Sequence, residues 1–139
     1  MMIFKIIFIH VLMTLPVYGE ALFDWIMWKV KGSGSDKPIS TYVVRPILFL
    51  IGGFGTSMLD KDRTIIAIAF YMIAAFLAFF PLLINVILGV RIGHLGNGWW
   101  DNLMKKFQPD IIRIWFFIWM WIVAFCLYYQ YEFKYIWFQ

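Results

Sequence analysis

The sequence has 139 residues, of which 63% are hydrophobic and only 14% are charged. An average soluble domain is about 45–50% apolar and about 25% charged, and a chain this short cannot bury so much apolar surface in its own interior. The composition excludes an ordinary soluble domain and predicts a membrane protein. Its formal net charge of +4 is scattered, with no basic run longer than Lys105–Lys106, so nucleic acid is not an expected partner.

Four apolar runs predict an all-α integral membrane protein that forms a single domain over residues 1–139. The runs cover approximately residues 3–22, 42–59, 64–90 and 111–131. Each approaches the ~20 residues that a helix needs to cross a bilayer, and none alternates in polarity as the strands of a membrane barrel would. Short interfacial helices are expected in the first and third connections, which carry several Trp residues.

The first run has two interpretations. Lys5, the apolar residues after it and the small residue Gly19 also resemble a secretory signal peptide, with a cleavage site after Gly19. Cleavage there would place both larger connections outside the cell. The retained span is favoured, because the distribution of basic residues predicts the opposite orientation.

Three glycines in the second run, Gly52, Gly53 and Gly55, allow another helix backbone to approach closely and are candidate helix-packing positions. They also weaken a helix, so the run is predicted to be a span, with a re-entrant hairpin as the alternative. Arg45, near the start of the run, is expected to extend towards the lipid headgroups.

The third run, residues 64–90, is the clearest span, because it contains 27 residues without a charge. Pro81 predicts a bend within it, since proline removes one backbone hydrogen bond. Asn85 is a candidate packing residue that would hydrogen-bond a neighbouring helix or cap the carbonyl released by Pro81. No acidic residue is expected deep in any span.

The last run is unusually aromatic. By helical spacing, Trp115 and Trp119 share a face with Ile122 and Cys126. Large rigid aromatic side chains are enriched where proteins meet, so Trp115 and Trp119 are candidate partner-docking residues. Lipid contact is the alternative explanation for this face.

Basic residues also predict the orientation. The side that carries the two larger connections holds eight of the twelve basic residues: Lys29, Lys31, Lys37, Arg45, Arg91, Lys105, Lys106 and Arg113. The positive-inside rule places this side in the cytoplasm, or its equivalent in an organelle, and both termini on the other side. The expected location is an inner or plasma membrane, or the inner membrane of an organelle.

Catalytic and metal-binding motifs are missing from the sequence, so neither an enzyme nor a metal or cofactor site is expected. The lone cysteine, Cys126, cannot form an internal disulfide. His10 and His94 are the two histidines, and haem ligation through one of them is the alternative to an interfacial or packing role.

One short resemblance lies in the second run. The residues from Tyr42 to Gly52 resemble the Arg-Pro-aliphatic-Gly start of small inner-membrane components of type IV secretion and conjugation machines. It covers about a dozen residues, and the remaining spans depart from that family's pattern, so no family is assigned.

Three classes of function fit these observations. The first, and the one expected, is a non-catalytic subunit that docks onto other integral membrane proteins within a larger complex. The second is a stand-alone modulator, such as an immunity, exclusion or holin-like protein. The third is a channel or transporter component, including one of secretion or conjugation machinery.

Overall fold

The computed structural model describes residues 2–31, 39–95, 99–107 and 109–137, and over these residues the fold is entirely helical. The helices are α1 (Met2–Met13), α2 (Leu15–Lys31), α3 (a π-helical turn, Ser40–Val44, continued by an α-helix, Arg45–Leu59), α4 (Ile65–Ile87), α5 (Trp99–Met104) and α6 (Asp110–Trp137). Lys37 lies outside the described residues. The all-α prediction is therefore confirmed for the described part of the chain.

Within those residues, three helices are long and apolar enough to cross a membrane: α3, α4 and α6. Helices α1 and α2 meet the same criteria together, but they are bent by 49° at a short break. The described chain thus has three candidate spans, or four if the bent pair is one span. The second run is one continuous helical stretch, Ser40–Leu59, rather than a hairpin.

The first helical pair extends further than the sequence predicted, because α2 continues through the Trp-rich segment to Lys31. The break comes at Thr14, two residues before Pro16, which has no N–H to offer the Leu12 carbonyl and crowds it sterically. Thr14 Oγ1 donates to the His10 carbonyl at 2.8 Å, and the Tyr18 hydroxyl donates to the Val11 carbonyl. These two hydroxyl groups thus satisfy backbone carbonyls of the last turn before the bend.

Helix α4 is the centre of the bundle and packs against α2, α3 and α6. In its most apolar stretch 44% of the residues are buried, against 11% in α3 and 17% in α6. Thr64 caps the N-terminus of the helix, with its Oγ1 accepting from the Ala67 N–H at 3.2 Å, and the helix continues through Pro81. Helices α3 and α6 consequently present their outer faces away from the protein.

Side-chain contacts fix how the helices run past one another. Leu12 lies at Gly55 and Gly19 lies at Leu48, so the α1–α2 pair is antiparallel to α3. His10 bonds Tyr71, and further along both helices Leu22 and Trp25 line a groove with Leu83 and Ile87, so the pair is parallel to α4. We call the two ends of the bundle the Asp60 end, where α3 meets α4, and the His94 end, where α4 leads towards α5.

Gly52 and Gly53 provide a matched test of the α1–α3 contact. A Cβ on Gly52 would meet the carbonyl oxygen of Leu12 and would lie 2.8 Å from Met72 Cε, whereas a Cβ on Gly53 would lie 3.8 Å from Met72 Sδ. A backbone oxygen cannot move aside as a flexible side chain can. We expect Gly52→Ala to lower thermal stability in detergent, and Gly53→Ala to be neutral or stabilising, because alanine favours helix by up to about 1 kcal/mol. Equal effects of the two substitutions would contradict this close packing.

Candidate functional site

A buried ion pair joins α2 to α3. Glu20 is 0% exposed, and both of its carboxylate oxygens have partners. Arg45 Nε donates to Oε2 at 2.7 Å and Arg45 Nη2 donates to Oε1 at 2.7 Å, while Ser40 Oγ donates to Oε1 at 3.0 Å. This bidentate geometry is a strong form of the Arg–carboxylate interaction.

The same guanidinium group also contacts α4. Its carbon lies 4.7 Å from the centre of the Phe76 ring and 5.8 Å from that of Phe80, and the two rings are stacked 4.7 Å apart. A cation over an aromatic face is attracted by the ring quadrupole, the more so when it is shielded from water. Arg45 therefore links α2, α3 and α4 at one level of the bundle.

This arrangement corrects one expectation from the sequence. Arg45 does not extend towards headgroups, because its guanidinium turns inward to a buried carboxylate. It lies five residues into the helical stretch that begins at Ser40, which is about 8 Å along the axis at 1.5 Å per residue. Glu20, which the sequence placed near an interface, is fully buried and faces the start of α3.

A second polar cluster lies towards the Asp60 end. The Tyr128 hydroxyl donates to Asp60 Oδ2 at 3.1 Å, and the Arg63 guanidinium lies 5.0 Å from the centre of the Tyr128 ring. Tyr71 is fully buried beside Tyr128, and its hydroxyl is 2.9 Å from His10 Nδ1. These contacts attach α6 and α1 to the start of α4.

The connection at the His94 end is held by two buried side chains. Asn85 Nδ2 donates to the carbonyls of Ile92, at 2.7 Å, and His94, at 3.0 Å. Arg113 Nη2 donates to the Gly93 carbonyl at 3.0 Å, and its Nη1 bonds Asp110 at 3.0 Å. Both amide hydrogens of Asn85 are therefore used by the connection that follows its own helix, rather than by a neighbouring helix.

The outward face of α6 is aromatic. Trp115 is 53% exposed, Phe116 64% and Trp119 59%. The inward face is aromatic too, but it is packed, with Trp121 set edge-on against Phe79 of α4 at 4.8 Å. Helix α6 thus uses one face for its own fold and leaves a second one open; we call Trp115, Phe116 and Trp119 the outer aromatic face.

The residues singled out by sequence lie in three separate places rather than in one site. The glycines lie along the α1–α3 contact, Asn85 lies at the His94 end and the two tryptophans lie on the outside of α6. His10 and His94 are also far apart along the bundle, since one bonds Tyr71 and the other follows α4. Among the described residues there is no group of three side chains that could hold a metal ion.

The ion pair was missed by inspection of the sequence, although a signal for it exists. Glu20 and Arg45 are single charges beside or within consecutive apolar helices, and a buried charge requires a partner. A search for the counter-charge of each of these residues would have paired Glu20 with Arg45. The π-helical turn at Ser40–Val44, which precedes Arg45, has no comparable signal.

Comparisons of the chain with protein-family models, with curated proteins and with solved structures found no match.

The ion pair leads to a prediction about stability. Glu20→Gln keeps the size of the side chain but leaves the Arg45 charge without its carboxylate, and breaking a buried pair in this way costs about 3–5 kcal/mol. We expect a large loss of resistance to denaturant in detergent micelles. The control is Arg91→Gln, which breaks the pair of Arg91, 77% exposed, with Asp110. A surface pair of this kind is worth about 0–1 kcal/mol.

The double variant Glu20→Gln/Arg45→Gln completes the test. Removing both charges eliminates the unpaired one, so we expect the double variant to lose less stability than the two single variants combined. Additive losses, or a Glu20→Gln protein as stable as the Arg91→Gln control, would contradict the role of the pair.

Proposed function

We propose that the chain is a non-catalytic subunit that inserts into a membrane with four spans and docks onto other integral membrane proteins through the outer aromatic face of α6. In this proposal the bent α1–α2 pair counts as one span. The observation that carries the proposal is the exposure of Trp115, Phe116 and Trp119 on a helix whose opposite face is already packed against α4.

Depth in the bilayer separates docking from ordinary lipid contact. Tryptophan in membrane proteins is enriched at headgroup depth. Trp119 is nine residues beyond Asp110, the first residue of α6, which is about 13 Å along the helix axis. With a hydrocarbon core of about 30 Å, that position is close to the middle of the bilayer. An indole N–H facing hydrocarbon there lacks an acceptor, whereas a partner helix can supply one.

The connections further support a role in assembly. Those that the structure describes are short, and the segment after α4 is fastened to the bundle by Asn85 and Arg113. The contact surface available to a partner is therefore mostly the helices themselves.

The polar groups inside the bundle favour this proposal over a channel or transporter. Both oxygens of Glu20 are bonded to Arg45 and Ser40, and the residue is fully buried. An ionisable group within a span is by default a candidate transport site. Because this carboxylate is enclosed and already paired, a structural role accounts for it more simply.

The docking proposal is tested by Trp115→Leu/Trp119→Leu. Leucine keeps the helix apolar, so membrane insertion should be unchanged, while a partner that packs on the aromatic face should be lost. The measurement is mass spectrometry of the chains that co-purify in mild detergent. The matched control is Phe54→Leu/Phe70→Leu, because those rings are 65% and 50% exposed on α3 and α4. Retention of every partner by the tryptophan variant, or equal losses in both, would overturn the proposal.

The proposed orientation places the His94 end in the cytoplasm or its equivalent, and it has its own test. In a Cys126→Ala background, Asn102→Cys reports on the His94 end and Lys61→Cys on the Asp60 end, and both native residues are exposed. We expect an impermeant maleimide to label intact cells at position 61 only, and to label position 102 after permeabilisation. The reverse pattern would contradict the orientation.

A further inference from the structure

An open apolar groove lies between α2 and α4 near the His94 end. It has a volume of about 370 Å³ and is lined by Tyr18, Leu22 and Trp25 of α2 and by Leu83 and Ile87 of α4. The hydroxyl of Tyr18 already donates to the Val11 carbonyl, so it adds little polarity to the groove. The volume falls in the range of about 300–1,000 Å³ that small-molecule sites occupy, and the lining selects a hydrocarbon ligand.

The α2 side of the groove continues into a basic residue. Tyr18, Leu22, Trp25 and Lys29 are separated by four, three and four positions, so they follow one face of the helix. Lys29 is exposed and lies one turn beyond Trp25, about 6 Å further along the axis. This face therefore changes from apolar to cationic as it approaches the His94 end. Asp24, the nearest carboxylate in sequence, is turned about 100° away from Trp25.

The position of the groove suits an amphiphile held in one leaflet. Ile87 is the last residue of α4, so the apolar part of the groove ends where that helix ends. If α4 crosses the bilayer as proposed above, Trp25 lies near headgroup depth and Lys29 lies among the headgroups. A molecule with a hydrocarbon chain and an anionic head would match both parts of this surface.

We propose that this groove binds one acyl chain of an anionic phospholipid, with its phosphate beside the Lys29 ammonium group. The inference rests on the proposed membrane insertion, but it is independent of docking through α6. A lipid is favoured over a partner helix because the apolar groove and the cation are successive parts of the same helix face. A basic residue at the membrane surface also attracts anionic headgroups, by about 1 kcal/mol for each Lys or Arg.

The test is native mass spectrometry of the full chain, released from nanodiscs made of equal parts phosphatidylglycerol and phosphatidylcholine. We expect the wild-type protein to retain phosphatidylglycerol in preference to phosphatidylcholine. Lys29→Gln should reduce that preference about fivefold, the effect of one lysine near an anionic surface. Lys29 is exposed, so this substitution leaves the packing of the bundle unchanged.

Two further variants separate the site from general effects. Lys106→Gln removes the same charge from another exposed lysine at the same end and should keep the preference. Leu83→Trp fills the groove and should reduce retention of both lipids. Equal losses in Lys29→Gln and Lys106→Gln would overturn the proposal, as would unchanged retention in Leu83→Trp. A crosslink from Leu22→Cys to another protein chain in the native membrane would show that a partner occupies the groove instead, and would overturn it too.

Discussion

The buried carboxylate of Glu20 is the constraint on which the rest of the bundle depends. A charge without access to water is costly unless a counter-charge and hydrogen bonds replace the water. Arg45 and Ser40 together supply both, and they can do so only when α2 and the start of α3 lie side by side in one register. Apolar packing alone would tolerate sliding of one helix along the other, whereas this pair does not.

The bend at Pro16 makes that register compatible with the contact between α1 and α3. Below the bend, Leu12 lies against Gly52 and Gly55, and above it Gly19 lies against Leu48. Pro16 cannot donate to the Leu12 carbonyl, and that oxygen is the atom beside Gly52, where a larger residue would collide with it. The break in α1–α2 and the absence of a side chain at Gly52 thus act together to allow the close contact between the two helices.

Sequence reasoning predicted the elements that depend on local patterns. Long apolar runs must be buried or lie in lipid, so the helices of residues 64–90 and 111–131 were predictable from their apolar sequences alone. Contacts between distant residues were not. Glu20 and Arg45 are 25 positions apart, and Asp60 and Tyr128 are 68 apart. Such pairs depend on how the helices run past one another, which a hydropathy pattern does not specify.

Asn85 shows where local reasoning was incomplete. Asn85 follows Pro81 by one turn, which suggested a role within the span, yet its amide bonds the connection after the helix. Its distance from the end of α4 was the better guide, because Asn85 is only two residues from Ile87. The ends of helices are harder to infer from sequence than their existence, so the roles assigned to residues near a helix end are less accurate.

The inner and outer surfaces of the bundle divide the chemistry between them. Inside the fold, Arg45 bonds Glu20 and Tyr128 bonds Asp60. These polar groups therefore have few hydrogen-bonding positions left for a ligand. The outer faces keep large apolar side chains, and α6 keeps the densest group of aromatics among them. With the bundle inserted in a membrane as proposed, these outer faces offer recognition through shape and contact area, and Lys29 adds a charge where the face of α2 leaves the hydrocarbon.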